Sequence, residues 1–251
     1  MLRLLGGLAC LGLYFYGSLH WPPEYLQSAA FASASLWWKL TAMAIVAKVY
    51  MYKYVAVWMT TEAACILAGV TGASHSSNGA AGLNLYQHTN VNLTQFEFAH
   101  SCTDIISSYN MTTNGFAFRY VYRRLKFLGN IHLSKLLTLL FLSVWHGFAS
   151  GYHFAFSTEF LLLYFEKSFS GVFQAAQERW SPLNSDYLKP VVWLAGRLYT
   201  YYFIGYAFVA FMFLHAELWW PILGSVYFVG HLFLFAYVAL AVAVKLAKRC
   251  F

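Results

Sequence analysis

Long, continuous apolar runs separated by short polar stretches dominate this chain. Residues 2–19 run apolar after a single Arg3, and His20, Trp21, Pro22 and Pro23 then read as an interfacial turn. No small-x-small cleavage site follows, so the run reads as a membrane-embedded helix and not as a signal peptide. From Leu36 to Val70 a longer apolar stretch is interrupted by Lys39, Lys48, Lys53 and Glu62, which predicts helices that tilt, break or pack against neighbours. Residues 71–100 turn rich in Gly, Ser, Asn, Thr and His with no apolar period, the pattern of a loop. Arg119, Arg123, Arg124 and Lys126 then alternate with aromatic and aliphatic residues, which suits an interfacial helix at an anionic membrane face. Gly129 and Asn130 are its expected stop.

Ser134 is the expected cap of the next helix, over Leu136 to Phe148. A second apolar run follows Gly151 to about Phe165, where Glu166 and Lys167 are expected to end it. Residues 171–189 are polar, with Pro182 and Asn184 marking a connecting loop. Apolar stretches at 190–214 and 221–245 are separated by His215, Glu217, Trp219, Trp220 and Pro221. Because the runs are continuous and lack period-two alternation, a β-barrel is disfavoured and helices are the remaining way to span. The expectation is an all-α, polytopic transmembrane helical bundle of six or seven helices, with residues 1–251 as one membrane domain.

Composition strengthens this reading. The 251 residues are 60% hydrophobic and 10% charged, more apolar surface than one soluble core of this size needs. The net charge of +7 lies in short stretches between apolar runs, as the positive-inside bias places it in cytoplasmic loops. A nucleic-acid partner is not expected, since no soluble domain gathers the cations. Cys10, Cys65, Cys102 and Cys250 lie far apart and show neither a disulfide framework nor metal-ligand spacing.

One residue in the apolar runs calls for a chemical explanation. His146 follows Leu139, Leu140, Phe141, Leu142, Val144 and Trp145. An ionisable group in such surroundings is costly without a partner or a purpose. Burial disfavours the imidazolium, leaving a neutral ring able to accept a hydroxyl proton as a general base. A histidine that only hydrogen-bonds a neighbouring helix is the structural alternative, and from the lone residue the two stand level.

Three motifs in order tip the balance. Residues 143–156, SVWHGFASGYHFAF, resemble the WHG-x(3)-GY signature of membrane-bound O-acyltransferases that act on lysophospholipids. Residues 108–129, SYNMTTNGFAFRYVYRRLKFLG, are similar to the Asn-containing segment of that family, and residues 48–69, KVYMYKYVAVWMTTEAACILAG, to its Tyr-Lys-Tyr, Trp and Thr-Glu-x-x-Cys pattern. The resemblance implies transfer of a fatty acyl group from acyl-CoA to the free hydroxyl of a lysophospholipid, chiefly lysophosphatidylcholine. By position it puts the catalytic histidine on His146 and the catalytic asparagine on Asn110, with Asn114 as substitute if the segment is shifted by some residues. Asn110 also begins a sequon, as does Asn92, which is the favoured glycan acceptor of the two.

The resemblance further implies substrate contacts from Trp145, Tyr152, Arg123, Arg124 and Lys126, no metal, no permanently bound cofactor, and acyl-CoA as co-substrate. Lysophospholipid, acyl-CoA and membrane lipids are the expected partners, a homodimer stays open, and the location is a multi-pass protein of the endoplasmic reticulum membrane. Met1 aligns with an internal position of the family, so the expectation is a domain lacking the N-terminal part, and the loop at 71–88 departs from the pattern. Rival readings are a transporter or channel-like bundle with His146, His215 and His231 along its pathway, and a haem or di-iron protein, although the dense histidine clusters of di-iron oxidases are absent. The HxxxxD chemistry of other glycerolipid acyltransferases is also disfavoured. None of the nine histidines has Asp five positions later, and His100 with Asp104 is one residue short.

Overall fold

A computed structural model describes residues 1–70, 73–75, 81–83, 89–180 and 185–250. The long helices stand in a row: α1 (Leu2–His20) against α3 (Leu36–Leu67), α3 against α10 (Lys189–Phe213), α10 against α9 (Ser150–Arg179), and α9 against α8 (Ile131–His146). The short α2 (Ala29–Ser33) lies between α1 and α3. The helices α4 (Leu93–Phe98), α5 (Cys102–Ser108), α6 (Met111–Phe116) and α7 (Arg123–Leu125) connect α3 to α8, and α11 (Ala216–Ser225) with α12 (Val229–Cys250) close the chain. Strand content among the described residues is one antiparallel hairpin, Ala73–His75 paired with Ala81–Leu83.

Glycines let α1 lie close on α3. A Cβ at Gly7 would sit 2.8 Å from the Thr60 side chain, and one at Gly17 would sit 2.6 Å from Val49. The main apolar core joins Phe31, Met43, Val46, Tyr206, Val209 and Leu223, where α3 and α10 meet α2 and α11.

Charges do not interrupt α3, because each meets a partner on another element or a ring on its own. Lys39 donates to the Ser225 carbonyl at 3.2 Å, Lys48 pairs with Glu97 at 3.2 Å, and Lys53 lies 3.8 Å over the Tyr50 ring. Glu62 meets Arg3 at 3.1 Å and accepts from Thr89 Oγ1 at 2.8 Å. With the Glu62 side chain only 1% exposed and that of Arg3 19%, replacing Arg3 by Met leaves a buried carboxylate without its counter-ion. The expected cost is about 3 kcal/mol, the low end for a broken buried pair because Arg3 keeps some water, read as a lowered unfolding temperature in detergent.

Several expected boundaries move. Residues 93–98, expected as loop, form α4, capped by Asn92 accepting from the Gln95 amide. The segment 119–126 is helical as expected, within a continuous helical stretch of changing pitch, and Gly129 (φ 65°) ends it. Asn130, expected as a stop, instead caps α8 by accepting from His132 and Leu133, so Ser134 is not the cap. Its hydroxyl donates to the Leu125 and Asn130 carbonyls.

Glu166 and Lys167 do not end α9, which runs on to Arg179. Glu166 is drawn inward, accepting from the Thr103 amide at 2.9 Å and its hydroxyl at 2.6 Å. The expected loop at 171–189 therefore shrinks, and Pro182 and Asn184 lie outside the described residues. The expected continuous run at 221–245 is broken between α11 and α12, where Tyr227 and Phe228 take positive φ. The separator that contains Glu217, Trp219 and Trp220 is itself helix.

By length and apolar composition, Leu2–Gln27 and Leu36–Leu67 are able to cross a membrane, and α11 with α12 to Ala241 qualifies as a third span bent by 73°. Among the described residues this is fewer than the six or seven helices expected to span. Glu159, Glu166 and Lys167 lower the apolar character of α9, and the tyrosines do the same in α10.

Candidate active site

The capped start of α8 and its sixteen residues carry His146 about 24 Å from Asn130. The helix stops at His146 because Gly147 has φ 136°, a conformation that side chains with a Cβ rarely adopt. The chain then turns into α9, and the Gly151 amide donates to the Leu214 carbonyl at 2.7 Å, fixing the start of α9 to the end of α10. This close approach needs glycine. A Cβ at Gly151 would collide with the Ala210 carbonyl oxygen and lie 2.8 Å from Leu214 backbone atoms.

The reversal surrounds the imidazole with rings. Tyr152 and Phe156 of α9 and Phe211 of α10 have centroids 5.5, 5.3 and 5.5 Å from that of His146. No described side chain hydrogen-bonds the His146 ring. The neighbouring His153 is engaged with the Ser143 hydroxyl at 2.8 Å, and His231 lies between Tyr206 and Thr158 hydroxyls at 2.7 and 3.1 Å.

Asn110 reaches the same place from another part of the chain. It sits between α5 and α6 in the left-handed conformation (φ 54°, ψ 44°), which asparagine tolerates better than most residues. The turn is pinned from outside: Asn90 accepts from the Met111 amide through its carbonyl at 2.9 Å and from the Thr112 amide through its side chain at 2.8 Å. Asn114 uses its side-chain amide on the Ile106 and Tyr109 carbonyls at 2.7 and 3.0 Å. That of Asn110 has no partner among the described residues.

Asn110 and His146 line one cavity of about 160 Å³, open to the surroundings, whose wall is completed by Tyr54, Trp58, Tyr109, Glu159 and Phe208 among others. Tyr152 stays outside that wall but packs on His146 and Phe211. Trp145 is 59% exposed and touches the imidazole edge-on. Arg123, Arg124 and Lys126 do not line the cavity. Arg123 lies over Phe118 and Lys126 over Tyr122 in the stretch before α8. His215 and His231 are likewise outside it, so the three histidines of the transporter reading do not share this cavity.

Glu159 was not singled out from the sequence, although a lone carboxylate in the apolar run after Gly151 was a usable signal. Tyr54 and Trp58 fall on the Tyr-Lys-Tyr and Trp positions of the motif at 48–69, whereas Phe208 carries no signal, because an aromatic residue on a helix face reads equally well as core. Among the described residues, no three His, Cys, Asp or Glu side chains gather as a metal site would require.

Comparison with known proteins agrees with the motifs. The profile of the membrane-bound O-acyltransferase family matches residues 1–209. The chain is 35% identical to lysophospholipid acyltransferase 5 of Rattus norvegicus over 231 residues, covering 92% of this chain and 47% of that protein. It is 36% identical to the protein of that name in Bos taurus, with the same coverage, and 27% identical to that of Caenorhabditis elegans over 93% of this chain and 49% of that protein. The chain spans about half the length of the curated relatives it matches. With transmembrane-capable helices, three motifs in register and a profile match over most of its residues, the chain belongs to the membrane-bound O-acyltransferase family.

Proposed function

We propose that this protein transfers a fatty acyl group from acyl-CoA to the free hydroxyl of a lysophospholipid, lysophosphatidylcholine foremost, in the endoplasmic reticulum membrane. One observation carries the reading: Asn110 and His146 come from separate segments, their side chains have no hydrogen-bond partner among the described residues, and they line the same aromatic-walled cavity. Uncommitted polar groups in an apolar wall are costly unless a ligand engages them.

In the proposed reaction, His146 accepts the proton of the lysophospholipid hydroxyl as its oxygen attacks the thioester carbonyl. The Asn110 amide donates to the oxyanion that develops on that carbonyl. The tetrahedral intermediate collapses by breaking the carbon–sulfur bond, and the departing thiolate takes the proton from the imidazolium. Atoms and charges balance without a covalent acyl-enzyme. The aromatic wall limits water, which would otherwise compete with the lipid hydroxyl.

Arg123, Arg124 and Lys126, set apart from the cavity, are assigned in this reading to the phosphates of coenzyme A at the membrane face. Trp145 and Tyr152 are assigned to holding the imidazole and the adjoining substrate. Nothing in the scheme requires a second copy of the chain. The decisive experiment supplies membranes containing the protein with radiolabelled acyl-CoA and lysophosphatidylcholine and measures label in the diacyl lipid. Label that stays in acyl-CoA or appears only as free fatty acid would overturn the reading. Asn110→Ala is expected to lower the rate about 10²–10³-fold, the usual effect of losing one oxyanion donor, with the protein still present in the membrane.

A further inference from the structure

Glu159 is the acidic residue of the cavity wall, and no lysine or arginine lines that wall with it. It shares one face of α9 with Ala155, Phe156 and Leu162, the i, i+1, i+4 and i+7 positions of a helix. Phe156 stacks 5.3 Å from His146, and Glu159 lies three residues further along, about 4.5 Å up the helix. Its carboxylate forms no hydrogen bond or ion pair within the described residues. This differs from α3, where Lys48 pairs with Glu97 and Glu62 with Arg3. A charged carboxylate on the wall of an apolar, aromatic cavity without a counter-ion is unfavourable in isolation. A ligand that brings the cation removes that cost.

The rings around the cavity specify the cation further. Tyr54 and Trp58 are in contact at 5.9 Å, Trp58 meets Tyr109 at 4.7 Å, and Phe208 stacks on Phe211 at 5.1 Å. Aromatic faces combined with one carboxylate are the recognition chemistry of a quaternary ammonium, which is weakly hydrated and enters an apolar site more readily than a compact ammonium. In a lysophospholipid the headgroup nitrogen lies across a phosphodiester from the glycerol hydroxyl. A hydroxyl held at His146 leaves the choline group of the same lipid to the cavity that Glu159 also lines.

Resting on the acyl-transfer reading, we infer that Glu159, with the rings of Tyr54, Trp58 and Phe208, binds the quaternary ammonium of the acceptor lipid. Glu159 is thereby the residue that selects a zwitterionic choline lysophospholipid over an anionic one. It acts in acceptor recognition and moves no proton in the reaction. An inositol or unsubstituted phosphate headgroup lacks the cation and brings only negative charge toward the carboxylate.

The test offers lysophosphatidylcholine and lysophosphatidylinositol together, with radiolabelled acyl-CoA, to membranes containing the full chain. Glu159→Gln, nearly isosteric and uncharged, is expected to lower the choline-to-inositol product ratio about tenfold, the worth of one desolvated cation contact. The change is expected in KM for lysophosphatidylcholine, with KM for acyl-CoA unaltered, and Glu159→Asp should recover part of the ratio. An unchanged ratio in a variant that still transfers acyl groups would sink the inference. So would a rise in KM for acyl-CoA alone, which would give this wall to the donor, or loss of transfer to both acceptors in Gln and Asp variants that remain monodisperse. Wild-type membranes that acylate no lysophospholipid would instead remove the acyl-transfer reading on which the inference rests.

Discussion

Replacing His146 by alanine should lower acyl incorporation into lysophospholipid by about 10²–10⁴-fold, the range of a lost general base. Two features make this a test of chemistry and not of folding. The ring makes no hydrogen bond to described groups, so its loss leaves no buried partner unsatisfied. Its contacts are with the rings of Tyr152, Phe156 and Phe211, which contact one another without it, at 5.2 Å for Tyr152 with Phe211 and 6.4 Å for Phe156 with Phe211. The variant is expected to show membrane abundance and an unfolding temperature close to those of the parent, while labelled diacyl lipid falls to background. His146→Gln keeps a hydrogen-bonding group of similar reach but no usable base, and is expected to be equally inactive. Activity near that of the parent in either variant would place the proton acceptor elsewhere.

The second large effect is expected at Gly151. Alanine there adds one carbon, yet that carbon meets backbone, namely the Ala210 carbonyl oxygen and the Cα and carbonyl oxygen of Leu214. Side chains yield to such an intrusion by changing rotamer, whereas two hydrogen-bonded helix ends do not. The start of α9 must move away from α10, breaking the bond from the Gly151 amide to the Leu214 carbonyl. Overpacking of this kind costs about 1–3 kcal/mol, occasionally more, and the lost hydrogen bond adds about 1 kcal/mol. Since Tyr152 is the next residue and touches the His146 ring, a displacement of about 1 Å also lowers turnover by roughly 10²-fold. Gly12→Ala is the control, because a Cβ there meets nothing within 4 Å. A thermal melt and an acyl-transfer assay on both variants check this, and a Gly151→Ala protein as stable and active as Gly12→Ala would show that α9 and α10 do not meet as described.

How far local pattern reaches can be seen by comparing α8 with α9. The apolar run that contains His146 predicts a helix as far as Phe148, and the helix ends two residues earlier, at His146, because Gly147 takes a backbone conformation that follows from its own lack of a side chain. The expected stop at Glu166 is local reasoning of the same kind, and it fails. A charged residue ends an apolar run only if it must reach water, and Glu166 instead reaches the Thr103 amide and hydroxyl, on a helix more than sixty positions earlier in the sequence. The charges in α3 follow the same rule, since Lys39, Lys48 and Glu62 meet Ser225, Glu97 and Arg3. Ser134 shows a smaller failure: either it or Asn130 could cap α8 by composition, and the backbone direction after Gly129 favours Asn130.

For this protein, apolar run length dictates a helical membrane architecture, and the order of three motifs dictates the family and points to His146 and Asn110. Both are properties of the covalent chain, since burial of twenty-residue apolar stretches and the residue types at a signature do not depend on which helix neighbours which. Long-range placement is different in kind. That the amide of Asn110 is unoccupied while that of Asn114 is used, that both Asn110 and His146 open on one cavity, and that Glu159 faces the same space without a cation all depend on where α3, α5, α9 and α10 meet. Those meetings are set by pairings between residues far apart in the chain, Gly151 with Leu214 and Glu166 with Thr103. A helical pattern specifies which face is apolar and leaves open which neighbour covers it.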